Sequence, residues 1–466
     1  MADQHDPGSR GGRASRIAPL VGLAGQTSGE AVAAALRRKD RAGGQTRAAE
    51  RYAERLGRSM GVAMKAGQML WSATVGSMMP DAYRGIYQQA LAGLCGDTPS
   101  MPPALVGKTV ETELGGPPEK VFAEFDPVPL VAASIGQVHS AVLHGGRLVA
   151  VKVQYPGAGD AMRAALANTE LLAAFFQLAG AIAANMASVD MRVIARELSD
   201  RIEEEIGFRA EAANQGEFAG AYRGHPFIRI PAVVAELSSQ RVLTMDFAEG
   251  LSWAEALQAR DALKDKWGEA IYRFSVGSMR TLRLLNADSH PGNYLFHEDG
   301  GVTFLDFGFV KRFRPEQIAA LQRQVQAVVD HDAKELLRLY AQECAMKPGT
   351  EMDQRGLYAW HSKMLRPLTG PQPFTCTPEW AAAVLQSDLS VGRPCGRAVD
   401  KPSPESDCLF LTHIDVGMAS LLGALRATAA WNAIREEWDC GGPPATPLGE
   451  LDFAWRAART EESNAI

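Results

Sequence analysis

Apolar residues recur at steps of three and four from Ser28 to about Met79, among Arg, Lys and Glu, which predicts helix. A short helix is expected at about 103–115. The pattern then changes: residues 128–154 are rich in Val and Ala and are interrupted by His144-Gly145-Gly146, a tight-turn signal, so a β-hairpin is expected there. Helical spacing returns over 160–222, where Ile194, Leu198, Ile202 and Ile206 share one face. Strand patterns follow at 228–236 and 241–247. From Leu251 to Leu285 the spacing is helical again, and two short strands, Tyr294–His297 and Val302–Leu305, flank Asp299-Gly300-Gly301. Pro315-Glu316 reads as the first turn of a helix continuing through Gln326. Almost everything beyond it reads as helix, apart from a long loop at 367–407, rich in Pro, Gly and Ser.

A mixed small lobe followed by a mostly helical large lobe is therefore expected, an α+β class. The divisions fall at 1–27, a polar mobile arm; 28–115, a helical extension; 116–250, a small lobe with a helical insertion; and 251–466, a large, mostly helical lobe. The composition of the 466 residues, 46% hydrophobic and 22% charged, is that of a folded protein and excludes bulk disorder, a collagen-like fibre and a disulfide-stapled miniprotein. With 54 acidic against 48 basic residues the net charge is −6, the wrong sign for neutralising many phosphates, so no nucleic-acid partner is expected. Trp253, Trp360, Trp380, Trp431, Trp438 and Trp455 are scattered through helical segments and form no stacking ladder.

Cys95, Cys344, Cys376, Cys395, Cys408 and Cys440 are widely spaced, with no C-x-x-C pair, and read as reduced thiols. Residues 1–20 lack the apolar core of a secretory signal, so a cytoplasmic protein is expected. The long uncharged run between Glu170 and Asp190 contains Gln177, Gly180 and Asn185, which favours a buried or membrane-leaning helix over a span.

The candidate chemistry sits in Asn286-Ala287-Asp288-Ser289-His290-Pro291-Gly292-Asn293, followed thirteen residues past Asn293 by Asp306-Phe307-Gly308. Phosphoryl transfer needs a carboxylate near the acceptor, and an amide oxygen and a second carboxylate on Mg²⁺, all on short loops beside a two-stranded ribbon. Asp288, Asn293 and Asp306 have those types at that spacing. The plainer alternative is that Asp288 and Asn293 cap turns and the D-F-G tripeptide is coincidental. His290 reads as a residue that holds the loop by hydrogen bonding rather than as an assistant to Asp288. Upstream, Val149-Ala150-Val151-Lys152-Val153 alternates as a strand, with the valines on one face and Ala150 and Lys152 on the other. In protein kinases such a strand sets a small residue against the adenine and a lysine on the phosphates. No G-x-G-x-x-G loop precedes it; Val131-Ala132-Ala133-Ser134-Ile135-Gly136-Gln137-Val138-His139 stands there instead.

With Met64-Lys65-Ala66-Gly67-Gln68 and Glu211-Ala212-Ala213-Asn214, these residues resemble the UbiB/AarF family of ABC1-type, coenzyme Q-linked atypical kinases over roughly 48–312. The resemblance implies a protein-kinase-like two-lobed fold with a helical N-terminal extension, binding ATP and Mg²⁺. It implies that Lys65, Gly67 and Gln68 belong to an extension folding over the site. It further implies that Ala132, Ala133, Ser134, Ala150, Met245 and Phe247 line the nucleotide, that Lys152 binds phosphates and pairs with a glutamate, Glu211 rather than Glu205, that Asp288 is the base-like residue, and that Asn293 and Asp306 hold the metal. The family's E-x-D motif reads Glu205-Ile206-Gly207 here, and the first alanine of its A-A-A-S loop is Val131.

Lys152 and Glu211 are 59 residues apart, so an insertion separates them. After Gly308 there is no room for a long activation segment and no A-P-E motif, which favours a small or lipid-like acceptor, or ATP hydrolysis, over protein substrates. The resemblance implies ATPase or lipid-kinase activity at a membrane surface in ubiquinone or isoprenoid-lipid metabolism, with a quinone-precursor lipid and biosynthetic proteins as partners. Two rivals stay open: a phosphotransferase of the aminoglycoside or choline kinase type, and a nucleotide-binding pseudokinase scaffold.

Overall fold

The computed structural model describes residues 101–132, 135–155, 207–343, 353–389 and 408–464. The expected arm, the extension up to residue 100 with Lys65, Gly67 and Gln68, and the helical run from 160 to 206 lie outside the described residues. The chain divides into two compact units, one running to Ala212 and including Val233–Phe247, the other comprising Ala213–Ala232 and everything from Ala248.

In the first unit, α1 (Pro103–Leu114) starts at a proline that needs no N–H partner and ends at Gly115, whose left-handed φ of 79° and N–H bond to Glu111 close the last turn. Val106, Thr109 and Val110, at helical spacing, face the core. After the short α2 (Pro118–Val121) come β1 (Glu124–Phe125), β2 (Val131–Ala132), β3 (Gly136–Val142) and β4 (Leu148–Gln154). The expected hairpin is β3 and β4, in register from Gly136↔Gln154 to Val142↔Leu148, and its turn uses Gly146 at φ 80°. β1 and β2 both pair with β3. α3 (Phe208–Ala221) begins in this unit.

The strand expected at 228–236 is corrected: only β5 (Ile228–Arg229) forms, and a 3₁₀ turn occupies Ala235–Leu237. Pro231 has no N–H to give to a ladder, and Val233 makes a single bridge. The strand expected at 241–247 is β6 (Val242–Asp246), antiparallel to β4. The unit's core joins Val149, Val151, Val153, Val242 and Phe208, all fully buried, to the apolar face of α1.

The second unit holds β5 and the remaining elements. α4 (Trp253–Ala256) begins at a capping box, in which the Ser252 hydroxyl accepts from the Glu255 N–H and the Glu255 carboxylate accepts from the Ser252 N–H. α5 (Asp261–Tyr272), a π-helical turn at Arg273–Gly277 and α6 (Ser278–Thr281) form one helical run. The helix expected through Leu285 stops early: Arg283 takes φ 60°, and Leu284–Asn286 is a strand, β7. Leu284 and Leu285 are both buried, and an apolar pair does not distinguish helix from strand by period. β8 (Tyr294–Phe296) and β9 (Val302–Phe304) form the expected ribbon, with β5 parallel to β9. β10 (Val310–Arg312) pairs antiparallel with β7.

α7 (Pro315–Val329) starts at the expected proline, and α8 (Ala333–Glu343), α9 (Gln354–Met364) and α10 (Arg366–Thr369) follow. Part of the loop expected at 367–407 is instead ordered structure: β11 (Phe374–Thr375), and α11 (Pro378–Leu389), which opens on a Pro-Glu pair as α7 does. α12 (Cys408–Leu425), β12 (Thr428–Ala429), α13 (Trp431–Asp439) and α14 (Pro447–Asn464) complete the unit. Its core gathers Trp267, Phe274, Phe296, Phe304, Phe307 and Trp431. Of the cysteines, Cys376 is a buried free thiol and Cys440 an exposed one.

This unit also buries charge. Arg273 donates to Glu269 at 2.7 Å and to both carboxylate oxygens of Glu437 at 2.7 and 2.8 Å, tying the π-helical turn to α13. Two histidines are held neutral. His225 accepts from the Ile228 N–H at 3.0 Å, so its other nitrogen donates to Asp452, and burial keeps it below the ordinary histidine range. Burial pushes His361 down to about 3, and its Nε2 is buried without a hydrogen-bond partner. Such groups stabilise the fold above the unfolded histidine pKa; below about 6.5 the unfolded chain takes up protons that the folded one refuses. Stability is therefore expected to fall between pH 7 and pH 5, with His361 alone accounting for about 2 kcal/mol. Urea melts at the two pH values, and a flatter dependence in His361→Leu, check this.

Candidate active site

The residues singled out in the sequence fall into two groups, one in each unit. In the first, strand alternation sends Val149, Val151 and Val153 into the core and turns Ala150 and Lys152 to the opposite face. Lys152 Nζ donates to both carboxylate oxygens of Glu211, at 2.8 and 3.0 Å, and lies 5.1 Å from the centroid of the Phe208 ring. Both side chains are buried, 5% and 4% exposed. Glu211 stands in the first turn of α3, where the helix dipole favours a carboxylate. Glu205 lies outside the described residues.

Ala150 is flanked in register by Ser140 and Met245. Met245 is buried in the core of the unit, and the Phe247 N–H donates to Leu148 O at 3.3 Å. Ala132 ends β2, opposite Gln137; Ala133 and Ser134 lie outside the described residues. The glycine in this stretch has a packing role: a Cβ on Gly136 would overlap the Val153 carbonyl. Gln137 and His139 are fully buried and form a relay. The Met101 N–H donates to Gln137 Oε1 at 2.7 Å, Gln137 Nε2 donates to His139 Nε2 at 2.8 Å, and His139 Nδ1 donates to Asp126 O at 2.8 Å. Burial, opposed by Asp126, holds His139 below the ordinary histidine range.

In the second unit, β7 leads into the loop carrying Asp288, and β10 returns along it in register, Val310 opposite Asn286. Asn286 bridges the two candidate carboxylate segments: its Nδ2 donates to Asp306 O at 3.0 Å and its Oδ1 accepts from the Asp288 N–H at 3.3 Å. Asp288 Oδ1 accepts from the His290 N–H, and His290 Nδ1 accepts from the Gly292 N–H at 3.1 Å, so the imidazole braces the turn as expected. The Asn293 carbonyl accepts from the Leu305 N–H at 2.9 Å, while its Nδ2 is buried with no hydrogen-bond partner. Asp306 adopts φ 60°, and its Oδ1 accepts from the Gly308 N–H at 3.1 Å.

Three residues given no role in the sequence emerge here. Asn286 is one; its position two residues before Asp288 is the spacing of a side-chain turn, which is the signal that could have found it. Asn214 is the second: its Nδ2 donates to Phe307 O at 3.1 Å, across 93 residues of chain, which no local pattern reveals. The third is Gly417 of α12, where a Cβ would overlap Ser289 Oγ, so the α12 backbone reaches the Asp288 loop.

The model of the ABC1 atypical kinase-like domain matches residues 94–340. The chain belongs to this family. Relatives include an uncharacterized Synechocystis protein, 33% identical over 62% of this chain and 41% of its own length, and the rat mitochondrial atypical kinase COQ8B, 31% identical over 62% of this chain and 53% of that protein. A third is the Arabidopsis chloroplastic protein ACTIVITY OF BC1 COMPLEX KINASE 7, at 30% identity over 58% of this chain and 39% of its length. The chain thus spans about half or less of these relatives. Among solved structures, the Mycobacterium tuberculosis protein Rv3197 in complex with erythromycin matches with a TM-score of 0.56 and 29% identity, over 82% of this chain and 93% of that one. The UbiB/AarF resemblance and the α+β, protein-kinase-like fold are thereby shown.

At Gly207, where the resemblance leads to the expectation of a second carboxylate, a Cβ would overlap the Gln240 side chain. Val131, which stands where an alanine is expected, is an exposed residue of β2 opposite Val138. Among the described residues no helix is long and apolar enough to cross a membrane; the run at 171–189 lies outside them.

Removing one member of a buried ion pair strands the other. Lys152→Met is expected to cost about 3–5 kcal/mol in chemical denaturation. Lys152→Met/Glu211→Leu should recover most of that loss, and a single-variant cost below about 1 kcal/mol would contradict the buried pair.

Proposed function

We propose that this chain is a Mg-nucleotide-dependent ATPase or small-molecule kinase whose acceptor is water or a lipid-like hydroxyl, serving ubiquinone or isoprenoid-lipid metabolism at a membrane surface. The observation that carries this reading is the amide of Asn286, which ties the Asp288 loop to Asp306 and so holds a base-type and a metal-type carboxylate on adjoining short segments. Family membership supports the use of ATP with Mg²⁺.

The residues fit the metal. Asn293 and Asp306 offer oxygen ligands, and the Asn293 Nδ2 makes no hydrogen bond that would fix its side chain to the fold. Among the described residues no three or more His, Cys, Asp or Glu are grouped so as to hold a metal ion, so further ligands would come from phosphate oxygens and water, which suits Mg²⁺. Bound there, Mg²⁺ would neutralise charge on the phosphates. In the first unit Lys152, oriented by Glu211, would hold the α and β phosphates and Ala150 would leave space for the base; in the second, Asp288 would take the proton of an attacking hydroxyl.

β10 begins two residues after Gly308 and folds back onto β7, which leaves no extended segment to display a peptide and favours a small acceptor. The mitochondrial kinase relative supports the quinone link, and the erythromycin complex of the mycobacterial relative supports a bulky apolar ligand. A nucleotide-binding scaffold is the second reading, favoured by Gly207 in place of the family's second carboxylate.

Phosphate release from Mg-ATP is the test, with and without anionic vesicles, a ubiquinone-precursor-like phenol or erythromycin. Asp306→Asn is expected to lower turnover by about 100-fold or more. Stimulation by the phenol in vesicles supports the lipid reading, and background release from both proteins leaves the scaffold.

A further inference from the structure

Asp306 is a non-glycine residue at φ 60°, a conformation that costs about 1–2 kcal/mol and persists only where its surroundings enforce it. Two amides do so. Asn286 Nδ2 donates to the Asp306 carbonyl at 3.0 Å, and Asn214 Nδ2 donates to the next carbonyl, that of Phe307, at 3.1 Å. The second amide is itself held: Arg312 Nη2 donates to Asn214 Oδ1 at 3.0 Å while Nη1 donates to Glu217 at 2.6 Å. The Phe307 ring is fully buried against Phe218, centroids 5.2 Å apart, so the tripeptide is anchored without the amides. What the amides add is the orientation of the two peptide planes that follow Asp306, the first of which sets its ψ.

We propose that Asn214 and Asn286 are positioning residues that clamp successive carbonyls and thereby aim the Asp306 carboxylate at the metal of a Mg-nucleotide. The inference rests on the functional reading above. The isosteric variants Asn214→Asp and Asn286→Asp isolate the clamp, because each keeps the oxygen that accepts from Arg312 or Asp288 and replaces only the donor with an anion facing a carbonyl. A misaimed carboxylate binds the metal less tightly while the apolar core stays intact.

The test needs no turnover: titrate Mg²⁺ at fixed ADP and read nucleotide binding by thermal shift or calorimetry. Each Asn→Asp variant is expected to need about tenfold more Mg²⁺ for half-maximal binding, with an unliganded Tm close to that of the unaltered protein. Arg312→Met, which loosens the exposed side of Asn214, should raise the requirement two- to threefold and serves as the reading if Asn214→Asp does not fold. Variants that titrate like the unaltered protein would overturn the clamp and leave the functional reading standing. Nucleotide binding to the unaltered protein that ignores Mg²⁺ would overturn both.

Discussion

Asp306 sits in a left-handed backbone conformation, and side chains and strands of the second unit converge on the carbonyls around it. Its carboxylate caps the Gly308 N–H, its carbonyl is taken by Asn286 and the next by Asn214. β7 and β10, in register beside it, set the distance between the Asp288 loop and the tripeptide. The Phe307 ring, buried among Phe218 and Phe274, anchors the same backbone from the core side. A turn of such sharpness places a carboxylate at the mouth of a short loop, and the candidate chemistry rests on it.

Burial of polar groups is the second constraint, and it is met by pairing at the buried charges, while His361 Nε2 and Asn293 Nδ2 are left without a partner. Lys152 is bidentate with Glu211, and Arg273 reaches two carboxylates. His139 and His225 are each locked in a neutral tautomer by one donated and one accepted bond. In low dielectric such groups are costly when alone and specific when matched, so they register the elements they join. Close backbone approach does the same at Gly136, against β4, and at Gly417, against the Asp288 loop.

Several family markers therefore work beneath the site rather than in it. Gln137 and His139 face the core and hold Met101 and Asp126, so their part in the motif is to fix the strand that precedes Lys152. His290 accepts from Gly292 and braces its own turn. A motif reports which residues must stay together, and contact with ligand is one reason among several for that.

The hairpin at β3 and β4, the ribbon at β8 and β9 and the starts of α1 and α7 were legible because turn glycines, alternation and N-terminal prolines act within a few residues. The spacing of Asp288, Asn293 and Asp306 was legible for the same reason, since one short stretch carries all three. Leu284 and Leu285 were misread as helix, and α11 as loop, because an apolar pair and a Pro-rich stretch carry no period of their own. By itself the sequence determined the turn- and cap-marked elements, the candidate chemistry and the family. The partnership of Asn214 with Phe307, the notch at Gly417 and the neutrality of the buried histidines were decided by tertiary structure alone, because each depends on groups brought together from distant parts of the chain and on water being excluded where they meet.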